Sequence, residues 1–287
     1  MIRRPSLKEY LDYLQYVLDN GIKTHNRTGI DTIACSGYMI IHDMKNGFPL
    51  LTTKQMGLKN IASELEMFIN GITSKKWLQE RNNHIWDEWC NPQKVPYGTD
   101  PETLKKMAEE DDLGKIYGYQ WRYFNDNLET GDQLKKVIDT IKTDPTSRRL
   151  IISAWNPNQL NEMALPPCVL GYEFLCYPEN NTMDIIWAQR SVDSFLGLPY
   201  DLAEAALFLM LVCKETGYTP GKVIGSLGNC HIYVNALEQA IEQIKREPYP
   251  LPTVDITNWT SIWDWHYTDC ELKNYKSHGK LTATIAV

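Results

Sequence analysis

Apolar residues recur at helical spacing in some stretches of the chain and alternate in others. Leu7, Tyr10, Leu11, Leu14, Val17 and Leu18 fall three or four positions apart, which predicts a helix over 6–20. Ser6 and Glu9 give it a capping-box pattern, and Gly21 a stop. Thr32 to His42 alternates and reads as a strand. Asn60 to Gly71 is helical, with Ile61, Leu65 and Phe68 on one face and Glu64 among them. Asn83 to Trp89 sets Trp86 and Trp89 on one helical face, and Gln133 to Thr143 is a further helix. Leu150 to Trp155, Val169 to Tyr177, Thr182 to Ala188 and Gly228 to Tyr233 are strand-like. Asp201 opens a strongly apolar helix to Thr216, with Glu204 three residues on and Gly217 as its stop; Ala236 to Lys245 is helical. The polar segment 94–112 holds Pro96 and Pro101, ends in an acidic run, and reads as a surface insertion. Without repeats or a Gly/Ser linker, this irregular alternation predicts a single α/β (α+β) domain, a mixed β-sheet flanked by helices.

The 287 residues are 43% hydrophobic and 23% charged, ordinary proportions for a globular protein. A net charge of -7 argues against an extended nucleic-acid surface, although local arginines can still hold an anionic small molecule. The seven cysteines form no CxxC pair and no Cys/His ligand spacing, so neither a disulfide framework nor a metal site is expected. The first ten residues carry no apolar core of a secretory signal, and no run is long enough for a membrane span. A reducing, cytoplasmic setting is the expectation.

Chemistry concentrates in two passages. Cys168 follows Pro166 and Pro167 at the mouth of a strand. A cysteine is a nucleophile only as thiolate, and a nearby cation lowers its pKa toward that form. About twenty residues on, Gln189-Arg-Ser-Val-Asp193 and Leu196-Gly-Leu-Pro-Tyr-Asp201 pack an arginine, a serine and two carboxylates together. The loop His25 to Asp31 offers Arg27 as a fork for phosphate, or is simply a solvated turn. Arg148 and Arg149 are adjacent in a turn, where both can meet one anion or form a charged corner. Glu64 is a rim residue or a proton-handling group raised by burial. Asp201 is an N-cap or a reader of ligand.

Together these segments resemble the thymidylate synthase family over nearly the whole chain. The matching pieces are Arg27-Thr-Gly29, Leu51-Thr-Thr-Lys54, Glu64-Leu65, Ile85-Trp-Asp-Glu-Trp89, Tyr117-Gly118 with Gln120-Trp-Arg122, and Ser147-Arg-Arg149. Pro167-Cys168, the Gln189 to Pro199 passage, His231 with Tyr233, Arg246-Glu-Pro248 and Ala286-Val287 complete them. The resemblance implies a homodimer on a large mixed sheet, taking a pyrimidine nucleoside monophosphate and 5,10-methylenetetrahydrofolate, with no metal. It implies a phosphate held by Arg27, Arg190 and Ser191, with Arg148 and Arg149 crossing from the other subunit. Gln189 and Asp193 also bind substrate, and His231 and Tyr233 hold the ribose. Lys54, Ile85, Trp86, Trp89, Asp193, Leu196, Gly197, Tyr200 and Val287 surround the folate. Cys168 would add to C6 of the base, with Glu64 and Tyr117 moving protons.

Two departures adjoin the chemistry. Val169 stands where the family ordinarily has histidine, and Asp201 where it has asparagine; Leu227-Gly-Asn-Cys230 is also altered. An asparagine accepts from N3–H of uracil and donates to O4, whereas cytosine reverses both positions. A carboxyl sharing one proton can donate to N3 and accept from the 4-amino group. The expectation is therefore C5-hydroxymethylation of dCMP or CMP. The rivals are thymidylate synthesis on dUMP, dCMP methylation, a silent nucleotide- or RNA-binding relative and a cysteine hydrolase.

Overall fold

Strand-forming residues with alternating burial assemble one six-stranded sheet, which the computed structural model describes within residues 7–286. Its strands are β1 (Ile22–Thr24), β2 (Thr32–Asp43), β3 (Ile151–Ser153), β4 (Val169–Tyr177), β5 (Thr182–Asp193) and β6 (Thr219–Tyr233). Their order is β1-β2-β6-β5-β4-β3. β5 and β6 run parallel and every other neighbour pair antiparallel, so the sheet is mixed. A small hairpin-like pair, β7 (Thr253–Ile256) and β8 (Cys270–Lys273), is separate from it.

The helices are α1 (Lys8–Asn20), α2 (Leu58–Ile69), α3 (Lys75–Gln79), α4 (Pro101–Glu109), α5 (Tyr117–Tyr123), α6 (Gln133–Thr143), α7 (Leu198–Thr216) and α8 (Leu237–Ile244). α7 is apolar nearly all round, and such a helix is stable only when covered on all sides. It lies against β5 and β6 with α2 and α6 beside it. Trp121 of α5 stacks on Phe208 of α7 with ring centroids 5.0 Å apart, and Tyr172 and Phe174 of β4 meet Phe208 edge-on.

The two faces of the sheet differ. One inward row in register is Ile152, Tyr172, Trp187, Gly225 and Ile40, all buried. The next row, Ile151, Glu173, Ile186, Ile224 and Ile41, faces outward, and Ile151 and Ile41 are exposed. Met39 adds to that outer apolar surface.

Several sequence expectations need correction. The Asn83 to Trp89 stretch is a run of turns, not a helix. Asn83 Oδ1 accepts from the backbone of Ile85, a local bond that competes with helix formation. α7 begins at Leu198, with Gly197 at its N-cap and Pro199 in its first turn, where a missing N–H costs nothing. Asp201 is therefore inside the helix and is not its N-cap, and the Asp201–Glu204 capping pair does not exist. The segment 94–112 is largely exposed but contains α4, whose Met107 is buried. α2 starts at Leu58. α6 and β4 have the expected bounds, and α7 stops at Gly217, whose φ of 83° is the left-handed conformation that suits glycine. Ser6 and Val287 lie outside the described residues.

Candidate active site

The carboxyl-side end of β5, the end of β6 and the first turn of α7 open onto one cleft of about 1380 Å³. α2, α5 and the tryptophan turn close its other side. Arg27, Lys54, Glu64, Ile85, Trp86, Trp89, Tyr117, Cys168, Gln189, Arg190, Ser191, Asp193, Leu196, Gly197, Tyr200, Asp201, His231 and Tyr233 all line it. The structure thus brings together nearly every residue singled out from sequence. Arg148 and Arg149 are exposed and lie outside the cleft lining of their own chain.

Cys168 is half-buried at the entry to β4. Its N–H donates to Tyr117 Oη at 2.8 Å, and its carbonyl accepts from the Arg190 N–H at 2.9 Å. The Arg190 guanidinium donates to the carbonyls of Pro167 and Pro166 at 2.8 and 2.7 Å, fixing the turn that presents the sulfur. These cations do not lower the thiol. Burial, then Asp201, pushes Cys168 up to about 11, outweighing the opposing pull of Arg190 and Arg27. Burial thus outweighs both cations at this sulfur.

Arg27, in the loop before β2, and Arg190, Ser191 and Tyr233 form the cationic mouth. His231 and Tyr233 close β6 side by side, with rings 5.1 Å apart, and His231 Nδ1 bonds Asn229 Oδ1 at 2.9 Å. Asp193 accepts from the N–H groups of Phe195 and Leu196 at 3.1 and 2.9 Å, shaping the turn into α7. Burial raises its pKa. Lys54 donates to the Phe195 carbonyl and lies 4.0 Å from the centre of its ring; burial lowers it to about 8.

The opposite end of the cleft is acidic. Trp86 Nε1 donates to Glu64 Oε1 at 2.7 Å. Burial raises Glu64 to about 7, partly offset by that bond, and Asp201 adds to the rise. Asp201, in the first turn of α7, is also raised to about 7 by burial, and Gln189 Nε2 donates to its Oδ2 at 2.7 Å. Glu204 is one turn further, buried, and reached by Tyr172 Oη at 3.5 Å. Burial and the two neighbouring carboxylates keep its proton on. The sequence pattern offers Glu204 only as a cap and does not single out Tyr172, whereas Asn229 falls within the altered Leu227-Gly-Asn-Cys230 run. The signal for Glu204 was its i,i+3 spacing from Asp201, which puts both on one helix face.

Trp86 and Trp89 meet edge-to-face at 5.5 Å, and Trp86 also lies edge-on to Tyr117 at 6.2 Å. Leu196, Leu281, Ala283, Ile285 and Ala286 face into the same space. The tail is held by Asn235 and Gln239, which donate to the carbonyls of Thr284 and Thr282 at 3.0 and 3.1 Å. The result is an apolar slot set beside a thiol, half-buried to buried carboxyls and a cationic mouth. Among the described residues no three His, Cys, Asp or Glu side chains group to hold a metal ion, and no helix is long and apolar enough to cross a membrane.

The thymidylate synthase family profile matches residues 8–287. The chain is 38% identical over 295 aligned positions to a thymidylate synthase of Francisella philomiragia, covering 98% of this chain and 100% of that one. With fold, cleft and sequence match in agreement, the chain belongs to the thymidylate synthase family, enzymes that transfer a one-carbon unit from a folate to a pyrimidine.

Proposed function

We propose that the protein hydroxymethylates C5 of a cytidine nucleotide, dCMP or CMP, converting nucleotide, methylenetetrahydrofolate and water into the 5-hydroxymethyl nucleotide and tetrahydrofolate. The observation that carries this reading is Asp201. It is free of any capping duty, lines the cleft, and sits where proton loss and gain are both accessible near neutral pH. Such a carboxyl can give a proton to N3 of cytosine and accept from its 4-amino group. An ionised one would face O4 of uracil acceptor to acceptor, and each unpaired polar group in a closed site costs about 1–3 kcal/mol.

In this reading Arg27, Arg190 and Ser191 hold the phosphate, and His231 and Tyr233 the ribose. Cys168 Sγ bonds to C6 of the base once its proton is lost, and C5 becomes an enamine-like nucleophile. Glu64, ionised in part, accepts and returns protons, and Tyr117 fixes the backbone of the nucleophile. Methylenetetrahydrofolate supplies carbon at the oxidation level of formaldehyde. Trp86, Trp89, Leu196 and the tail fit its ring, with Lys54, Ile85, Asp193, Gly197 and Tyr200 around it. Val169, in place of a histidine, removes one polar group from the nucleophile's side and leaves space for the water that traps the transferred carbon.

The same reading takes the active form as a homodimer. Arg148 and Arg149 are exposed, away from their own cleft, and available to the partner's. The outer sheet face exposes Met39, Ile41 and Ile151, an apolar surface that calls for cover.

The 38% identity to a thymidylate synthase favours a second reading, reductive methylation of dUMP. One assay separates them. The enzyme is given methylenetetrahydrofolate and dUMP, dCMP or CMP, each tritiated at C5. Tritium release from a cytidine nucleotide without dihydrofolate is the expected result. Release from dUMP with dihydrofolate would establish the second reading, and dihydrofolate formed with dCMP would mean a methylase.

A further inference from the structure

Trp187 stands two residues before Gln189 on β5, so strand alternation puts both side chains on the inward face. Its neighbours in register are Tyr172 on β4 and Gly225 on β6. The indole lies over Gly225. A Cβ at that glycine would come 2.4 Å from Trp187 Cζ2, 2.5 Å from Cη2 and 2.8 Å from Ile40 Cγ2. The missing side chain is therefore the space the ring occupies, and it fixes the direction of the indole N–H. That N–H donates to Gln189 Oε1 at 2.9 Å. Trp187 and Gln189 are only 0% and 3% exposed, so neither can turn to water instead.

With its oxygen occupied, Gln189 presents its amide nitrogen to the cleft side. Nε2 donates to Asp201 Oδ2 at 2.7 Å and to the Ser191 carbonyl at 3.1 Å. All three partners select one orientation. Inverting the amide would set Oε1 against a carboxyl and a carbonyl, and Nε2 against the indole N–H. We infer that Trp187 is a positioning residue for base selection: through Gln189 it commits Oδ2 of Asp201 to the protein and keeps the carboxyl proton on the pyrimidine side. The inference rests on Asp201 facing the base, as proposed above, and deepens that reading.

The consequence follows from donor and acceptor counts. Cytosine N3 needs a donor, and the Asp201 proton supplies it only while it does not turn toward Gln189. As long as Gln189 donates to Oδ2, a proton there would meet an N–H. Remove the indole donor and the amide can invert, its oxygen can take the carboxyl proton, and N3 loses its partner. Uracil brings its own N3 proton and loses less.

The test is calorimetric binding of dCMP and dUMP, which needs no turnover, to the wild type, Trp187→Phe, Gln189→Leu and the double variant. A further variant carries 3-benzothienylalanine at position 187, keeping the bicyclic shape and removing only the N–H. The wild-type ratio tests the cytosine reading; the change in ratio tests the relay. Trp187→Phe is expected to lower the preference for dCMP over dUMP by about three- to tenfold, the equivalent of one hydrogen bond. The benzothienyl variant should match it, and Trp187→Phe should add nothing once Gln189 is leucine. An unchanged ratio in the benzothienyl variant, or additive effects in the double variant, would overturn the inference. Should the wild type favour dUMP, the cytosine reading fails, and a threefold or greater shift still supports the relay while an unchanged ratio sinks it.

Discussion

The two polar ends of the cleft treat charge in opposite ways. At the mouth, Arg27 is exposed, while Arg190 is tied to backbone carbonyls. At the floor, Glu64, Asp201 and Glu204 come from two helices into one space, and burial raises the pKa of each. A solvated cation acts through a screened field and selects little beyond a dianion. A buried carboxyl near its titration point acts through which atom holds a proton, and so distinguishes one pyrimidine edge from another. In the proposed reading, affinity belongs to the mouth and selection to the floor. Cys168 lies between them; burial, and after it Asp201, raises its thiol although two arginines stand near.

That division can be broken by substitutions at either end. The largest effect is expected for Glu64→Gln, which removes the proton carrier. The value of kcat should fall by roughly 10²–10⁴ with nucleotide affinity, measured by calorimetry, changed little. Equal losses in both would put Glu64 among the binding groups instead. Asp201→Asn comes next, moving the dCMP-to-dUMP ratio of kcat/KM toward dUMP by about ten- to hundredfold. An unmoved ratio would strip Asp201 of its reading role. Arg27→Ala should raise KM for either nucleotide by about three- to tenfold without altering their ratio, and the loss should shrink as salt is added. A change in ratio would mean that the mouth also selects.

The smallest effect concerns stability. Burial raises the Asp201 carboxyl from an ordinary value of 3.8 to about 7 in the fold. Between those values the native state keeps a proton that the unfolded chain has released, so this group's contribution falls as pH rises through that window. Asp201→Asn removes the slope. Its Tm relative to the wild type should therefore increase from pH 4 to pH 8, by about 2–4 °C for each kcal/mol recovered. Scanning calorimetry at the two pH values would check it, and a constant difference would mean that Asp201 titrates normally.

Long periodic elements were readable because their signal is local. α6 and β4 have the bounds their patterns predict, and the Gly217 stop stands where the helix ends. Short or punctuated stretches were not. Trp86 and Trp89 have helical spacing, but a side-chain bond from Asn83 to the backbone and edge-to-face packing of the rings take the segment into turns. The start of α7 was misplaced by three residues because Asp201 has the composition of a cap, while Pro199 is equally at home in a first turn. Residues lining the cleft were legible as motifs; their partnerships were not. Nothing in the chain order joins Trp86 to Glu64, Tyr172 to Glu204, or Gly225 to the ring of Trp187.

By itself the sequence determined which chemistry is present: a thiol after two prolines, several arginines, an aspartate just beyond the Leu-Gly-Leu-Pro run, and the periodicities that build the sheet and α7. Only the tertiary structure decided the state of those groups. Protonation depends on desolvation and on neighbours brought from distant segments, so the same aspartate could be a solvated cap or a buried acid. Packing of α2 and α7 against the sheet made it the second.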